Sequence, residues 1–306
     1  MKKLIAIAIL FGLSLGWLGS TPIYAATSSN EKWYEINVNG VFVPMDVQPI
    51  VSQSSLLIPI RTLASLGLSN SWDANSRTVT IKNTSDDVLT INLDSNIALK
   101  NGKRIEMSAP AQSKHGRVLV PIRFVSESLG YQVHYETIRN IIFVTSPEHT
   151  FDTDVIDPSD LVSARKAAIS LPVTTDFKTL GFATRRGVTY RFPEGKADMY
   201  EFNDGFTHTV VKIENGKAVA IGQYTIGNRS NILLKAGEIT GENIVSDPVL
   251  EPFLSAVYFN HDPNTTTTNV IYWEVDAITG DKWMKTIETA TYKVYSDIIQ
   301  EVPNNL

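Results

Sequence analysis

The sequence contains no cysteine among its 306 residues. This absence excludes disulfide bonds, thiolate nucleophiles and thiolate metal sites, and it excludes attachment through a lipidated cysteine. A protein of this kind must be stabilised by its hydrophobic core. The chain is long enough for two domains of ordinary size.

Long hydrophobic runs are also missing, apart from one near the N-terminus. Two lysines precede an uncharged apolar run over residues 4–18, and small residues follow up to Ala25 and Ala26. This pattern predicts a secretory signal peptide over residues 1–25, cleaved after Ala25 or, as an alternative, after Ala26. A retained membrane anchor is the other interpretation, although the run is short for a spanning helix.

Motifs that carry known chemistry are absent too. The sequence has no Gly-x-Ser-x-Gly elbow, no phosphate-binding loop and no Ser-x-x-Lys motif with its companions. The five histidines lie far apart, without metal-ligand spacing; they are His115, His134, His149, His208 and His261. We therefore predict no catalytic residue, no cofactor and no metal site.

Acidic residues could serve as calcium ligands or as a catalytic pair. Residues 152–154 and 203–205 hold oxygen ligands but lack the pattern of a calcium loop, so we interpret them as linker and turn residues. Glu194, Glu201 and Glu274 have the character of ordinary surface acids, and no pair for glycoside hydrolysis is assigned.

The excess of acidic residues is small. The formal net charge is −5, and it becomes about −7 when the two lysines of the signal peptide are removed. Mild acidity argues against nucleic acid or anionic lipid as the main partner.

What the sequence does contain is an internal repeat. Leu57-Ile58-Pro59-Ile60-Arg61 returns as Leu119-Val120-Pro121-Ile122-Arg123, and the same offset of 62 superposes Asn39-Gly40 on Asn101-Gly102. After the arginines the offset becomes 63, because one residue is missing from the first copy. The matched positions that define the repeat are Pro59, Arg61, Gly67, Pro121, Arg123 and Gly130.

Each copy is predicted to fold as hairpin, helix and hairpin. Asn-Gly between alternating runs indicates a type I′ turn, and the prolines precede a helix where a missing N–H group costs nothing. Ile122, Val125 and Leu129 share one helical face, and Gly130 ends the helix. Most of these residues are interpreted as core and turn positions.

The arginines of the repeat have two interpretations. Arg61 and Arg123 recur just inside the helices, so each is hypothesised to pair with an acid of its own unit, Asp73 and Glu136 respectively. The alternative is that both side chains are solvated.

The repeat resembles the copper amine oxidase N-terminal-like, or stalk, domain family. The resemblance rests on Asn-Gly, the proline after a short strand, Leu-Val-Pro-Ile-Arg-Phe and Ser-Leu-Gly, and it covers about residues 34–146. It implies a module found in secreted and envelope proteins of Gram-positive bacteria. The copper and quinone of the oxidases belong to a separate catalytic domain, whose Asn-Tyr-Asp/Glu and His-x-His motifs are absent here.

The expected fold is α+β, with a duplicated strand-helix-strand stalk domain followed by a mainly antiparallel β domain with a leading helix. We place the stalk domain at residues 31–146, with repeats at about 34–82 and 96–145. A linker is expected at residues 147–156 and the C-terminal domain at 157–306.

The C-terminal domain resembles no family known to us. A helix capped by Asp157 or Ser159 is predicted to run to about Ser170. Eight strands should follow, and residues 228–240 should form a short helix or loop. The predicted strands are 188–192, 199–202, 207–213, 218–226, 257–260, 270–275, 283–287 and 291–295.

Two functions remain open from the sequence. The first is a secreted, non-enzymatic envelope or extracellular protein, whose C-terminal domain binds a cell-wall polysaccharide or another envelope protein. The second is an extracellular hydrolase with unrecognised acidic catalytic residues in the C-terminal domain.

Overall fold

The computed structural model describes residues 33–151, 159–181, 187–227, 231–262, 267–275, 282–291 and 293–302. The expected signal peptide lies outside these residues, as do positions 152–156 of the expected linker. Within the described residues no helix is both long and apolar enough to cross a membrane. The described residues are mainly β-sheet with few helices, which bears out the expected α+β fold in part.

The N-terminal half contains thirteen short strands and two helical segments. A 3₁₀ helix spans Ile60–Leu66 and helix α1 spans Ile122–Ser128. Strands β1 to β13 are Glu35–Val38, Val41–Val43, Ile50–Ser52, Ser55–Pro59, Ser69–Asp73, Thr78–Lys82, Val88–Asn92, Ile97–Lys100, Lys103–Glu106, Gln112–Lys114, Arg117–Pro121, Gln132–Glu136 and Ile141–Thr145.

The same order of elements occurs twice in this half. Hairpin, hairpin, helical segment and hairpin follow one another from β1 to β6, and again from β8 to β13, with β7 between the two runs. The Asn-Gly turns are confirmed, because Asn39 and Asn101 and the glycines after them all have positive φ. Type I′ turns require this conformation at both central positions.

The two runs are interleaved in three sheets. Their orders are β12-β13-β1-β2, β10-β11-β4-β3 and β5-β6-β7-β8-β9, so each sheet takes strands from both runs. At the centre, β4 and β11 are antiparallel, and Ile58 lies opposite Val120. These two residues are equivalent in the repeat, so the two copies meet along this pair of strands.

The missing residue of the first copy changes the type of helix. The first segment is a 3₁₀ helix that ends at Gly67, whereas the second is an α-helix followed by Gly130. Both segments have seven residues, but Gly67 follows the first directly, whereas Leu129 stands between the second and Gly130.

The C-terminal half consists of one large sheet with short helices around it. Helix α2 spans Leu161–Ser170, and 3₁₀ helices span Ile244–Ser246, Glu251–Phe253 and Tyr295–Ile298. Strands β14 to β22 are Val173–Thr174, Val188–Pro193, Met199–Asn203, Thr207–Glu214, Lys217–Ile226, Ile232–Gly237, Ser255–Asp262, Thr267–Val275 and Lys282–Thr291. The sheet order is β14-β18-β17-β16-β15-β20-β21-β22, with β19 also paired to β18.

Three local predictions for this half are corrected. The helix is capped by Asp160, whose side chain accepts a hydrogen bond from the Ser163 amide, and not by Ser159; Asp157 lies outside the described residues. Residues 232–237 form strand β19, because they pair with the edge of β18. The last predicted strand is wrong, since β22 ends at Thr291 and Tyr295 begins a 3₁₀ helix.

A single hydrophobic core joins the two halves. Phe42, Ile141 and Phe143 of the N-terminal half pack in the same cluster as Ile169 of α2 and Tyr295 near the C-terminus. The described residues of both halves belong to one compact unit. A second cluster fills the interior of the N-terminal half alone.

Candidate functional site

The turn between β12 and β13 carries a buried ion pair. The side chains of Glu136 and Arg139 are 2% and 0% exposed. The Nε of Arg139 donates to Oε1 of Glu136 at 2.8 Å, and its Nη2 donates to Oε2 at 2.5 Å. Such a bidentate pair is among the stronger polar contacts in proteins.

This ion pair is hydrogen-bonded to the C-terminal half. Arg139 donates to the carbonyl oxygens of Ile169 at 2.6 Å and Leu171 at 2.7 Å, where α2 ends. Glu136 accepts from the Val173 amide at 3.0 Å, at the start of β14. The pair therefore satisfies backbone groups at the end of a helix that would otherwise be buried without partners.

The electrostatics of the pair favour its charged form. Burial by itself would lower the pKa of Arg139, but the charge of Glu136 and their hydrogen bonds raise it well above its ordinary value. Removing either partner would leave an uncompensated charge in the core, which is strongly unfavourable.

The partners hypothesised for the repeat arginines, Asp73 and Glu136, are wrong, although each arginine does lie near an acid of its own unit. Arg61 lies 3.7 Å from Asp46, and Arg123 lies 3.7 Å from Glu127, one helical turn away. Both arginine side chains are more than half exposed. Asp73 accepts hydrogen bonds within its own turn instead.

The other four repeat residues, two prolines and two glycines, mark the ends of the helical segments. Pro59 and Pro121 immediately precede the two helical segments, while Gly67 and Gly130 have φ angles of 72° and 92°. These positive φ angles are costly for other residues, which explains glycine at the helix ends.

A second buried carboxylate lies in the large sheet. Glu201 on β16 is 2% exposed, so its interpretation as an ordinary surface acid is wrong. Its Oε1 is 2.9 Å from Nδ1 of His208, and its Oε2 accepts from the Tyr224 hydroxyl at 2.6 Å. Arg191 lies 3.3 Å from the same carboxylate and also donates to the carbonyl oxygen of Phe253.

The neighbours of Glu201 keep it ionised. Burial alone would raise the pKa of this carboxyl group, but the charges of Arg191 and His208 and the hydrogen bonds from His208 and Tyr224 lower it to about 2. The His208 ring stacks on Tyr224 with centroids 4.7 Å apart, and its side chain is 17% exposed. In this cluster the histidine is the most exposed side chain.

The acidic candidate at residues 203–205 behaves as a turn residue. Asp204 accepts hydrogen bonds from the amides of Phe206 and Thr207, as a turn residue does. Among the described residues no three acidic or histidine side chains come close enough to hold a metal ion. Residues 152–154 lie outside the described residues.

Sequence reasoning missed both buried clusters. Glu136 and Arg139 are three residues apart in a turn, and an acid followed by an arginine at this spacing was a usable local signal. For Glu201 the signal was weaker, because Arg191, His208 and Tyr224 come from three other strands and meet it only in the folded sheet.

Comparison with known proteins identifies one part of the chain. Residues 37–144 match the family model of the copper amine oxidase N-terminal domain. The chain therefore carries this domain over that segment, which confirms the resemblance seen in the repeat. No curated protein matches the chain at a significant level.

Proposed function

We propose that the protein is a secreted, non-catalytic component of a Gram-positive cell envelope. In this proposal the N-terminal half is a duplicated stalk module, and it holds a C-terminal binding domain in a fixed orientation. The N-terminal sequence, which has the composition of a signal peptide, supports export. The match to the copper amine oxidase N-terminal domain supports a structural role for the first half.

The observation that carries the proposal is the buried Glu136–Arg139 pair. It belongs to the last turn of the first half, and it is hydrogen-bonded to α2 and β14 of the second. Together with the shared core, this contact makes the stalk a rigid support rather than a flexible spacer. A fixed support is useful to a protein that presents a binding surface.

The proposed binding surface is a polar row on the large sheet. Thr189, Asn203 and His208 are directly opposite one another on adjacent strands, and Asn260 extends the row and accepts a hydrogen bond from Thr189 at 2.8 Å. Phe206, at the tip of the β16–β17 hairpin, is 58% exposed. Polar groups beside an exposed aromatic ring suit a cell-wall polysaccharide.

One specific observation supports the alternative of an extracellular hydrolase. His208 is partly exposed, and its Nδ1 lies within hydrogen-bond distance of the ionised Glu201. This is the arrangement of a general base oriented by a carboxylate. Glu201 itself is an unsuitable acid, because its low pKa keeps it deprotonated and its oxygens are occupied by three side chains.

Co-sedimentation of the full mature protein with insoluble peptidoglycan tests both functions. We expect retention at moderate salt, a large loss of retention in Phe206→Ala, and no loss in the control Leu233→Ala, which removes another exposed apolar side chain of the same sheet. Failure of every form to sediment would overturn the wall as partner. Release of soluble fragments by wild type, abolished in His208→Ala, would favour the hydrolase.

A further inference from the structure

A groove of about 580 Å³ opens on one side of the N-terminal half. It lies between α1, strand β12 and the β3–β4 hairpin. Its walls are mostly apolar and include Tyr34, Leu56, Ile122, Phe124, Val133 and Tyr135. A concave, largely apolar cavity of this size is the usual form of a binding site.

The repeat provides an internal comparison for this groove. Ser55 and Ser108 stand at its rim, with their hydroxyl oxygens 2.6 Å apart. Their equivalents in the other copy, 62 positions away, are Arg117 and Asp46. These two form an ion pair at 2.6 Å, with Arg61 at 3.7 Å from the same aspartate. The groove thus has two small side chains where the other copy has a larger, charged pair.

Several residues that line the groove are apolar where their equivalents in the other copy are polar. Tyr34, Val51 and Val133 line the groove. Their equivalents are the polar residues Asn96, Ser113 and Asn70. At these three positions the groove is more apolar than the other copy. An exposed apolar groove indicates a binding site.

The charge at the rim and the neighbouring strand indicate what the ligand is. Glu106 and Glu127 outnumber Arg123, which already lies 3.7 Å from Glu127, so the rim carries a net negative charge. Strand β12 is the terminal strand of its sheet within the part of the chain that is described. A terminal strand beside a groove is suited to pair with an extended peptide.

We propose that this groove binds an extended peptide segment with apolar side chains and a basic residue. The apolar side chains occupy the floor, the basic residue lies near Glu106 and Glu127, and the backbone runs beside β12. We favour a peptide over a polysaccharide because the terminal strand β12 can pair with a peptide backbone. The proposal is independent of the envelope location and of the surface on the large sheet.

The experiment compares peptides on the full mature protein. The probes are the capped peptides Leu-Val-Lys-Val-Leu and Leu-Val-Glu-Val-Leu, together with a chitin oligosaccharide, and the readouts are affinity by calorimetry and amide exchange in residues 132–136. We expect the lysine peptide to bind and to slow exchange in β12. The glutamate peptide should bind about two- to fivefold more weakly, as expected for exposed charge pairs.

The matched variants exchange the rim residues of the two copies. Ser55→Arg with Ser108→Asp installs the ion pair of the other copy, and we expect affinity to fall by about tenfold or more because the larger side chains occupy the groove. The control, Asp46→Ser with Arg117→Ser, changes the other side and should bind as wild type does. Thermal melting checks that both variants remain folded.

Three results would overturn the proposal. The first is that the Ser55→Arg, Ser108→Asp variant binds the lysine peptide as tightly as wild type does. The second is that neither peptide binds near millimolar concentration, and the third is that the oligosaccharide, but neither peptide, slows amide exchange in residues 132–136. Equal binding of the two peptides would overturn the assignment of a basic residue.

Discussion

The two final hairpins of the repeat, β5–β6 and β12–β13, occupy the same position in their copies but have different surroundings. In the first, Asp73 accepts a hydrogen bond from the Ser76 hydroxyl at 2.7 Å in an exposed turn. In the second, the equivalent Glu136 accepts from Arg139 in the core. An acid bonded to the residue three positions later is thus a local turn feature in one copy and a contact between halves in the other.

The difference shows that the neighbour decides the role of the turn. The hairpin β5–β6 pairs with β7 and leaves Trp72 39% exposed, whereas β12–β13 packs against α2 and β14. A serine is sufficient in the exposed turn. Where the turn is buried, an arginine supplies enough donors to satisfy both the carboxylate and the end of α2.

The largest expected effect comes from giving the second hairpin the residue of the first. Arg139→Ser leaves Glu136 buried without a charge partner and removes two bonds to α2, so we expect the free energy of unfolding to fall by about 3 to 5 kcal/mol. Urea denaturation measures it. The control Ser76→Ala should cause a much smaller change, and a loss below about 1 kcal/mol in Arg139→Ser would contradict the role assigned to the pair.

Loss of the apolar contact between the halves should lower the free energy of unfolding nearly as much. Phe143 is 2% exposed and belongs to the shared core, whereas the equivalent position in the first copy is Thr80. Phe143→Ala should therefore cost about 3 to 4 kcal/mol. The matched variant Thr80→Ala should change the denaturation midpoint far less. Similar losses in both variants would mean that the shared core contributes no special stability.

Acid sensitivity extends the comparison to the buried carboxylate of Glu201. The pKa of Glu201 is about 2 in the folded protein, against an ordinary value of 4.5. A lowered pKa gives stability that is fully present above pH 4.5 and is lost as the pH falls towards 2; here it amounts to roughly 3 kcal/mol. The stability difference between wild type and Glu201→Gln should therefore shrink as the pH falls through this window. A constant difference would show that ionisation of Glu201 contributes nothing.

Much of the N-terminal fold could be predicted from the sequence, because its signals are local. Asn101-Gly102 predicts its turn through the backbone conformation that the two residues tolerate, and Pro121 and Gly130 mark the limits of a helix. What could not be predicted depends on residues distant in the chain. The pairing of β1 with β13, which interleaves the two copies, joins residues more than one hundred positions apart.

The candidate sites were less predictable for the same reason. The repeat predicts a structural role for Arg61 and Arg123 because they occur in both copies, yet both side chains lie on the surface. The residue equivalent to Arg139 in the first copy is Ser76. Arg139 is therefore not part of the repeat motif, and the repeat does not indicate its importance. The contact that joins the two halves is found where the copies differ.

The smallest expected effect concerns the conspicuous arginine of the repeat. The Arg123 side chain is 66% exposed and lies 3.7 Å from Glu127, so Arg123→Ala should change the free energy of unfolding by no more than a few tenths of a kcal/mol. Urea denaturation at low and high salt measures this, with Arg139→Ser as the contrasting variant. A loss above about 1 kcal/mol that persists in high salt would mean that the repeat arginine has a structural role, and that burial is a poor guide to which arginine matters.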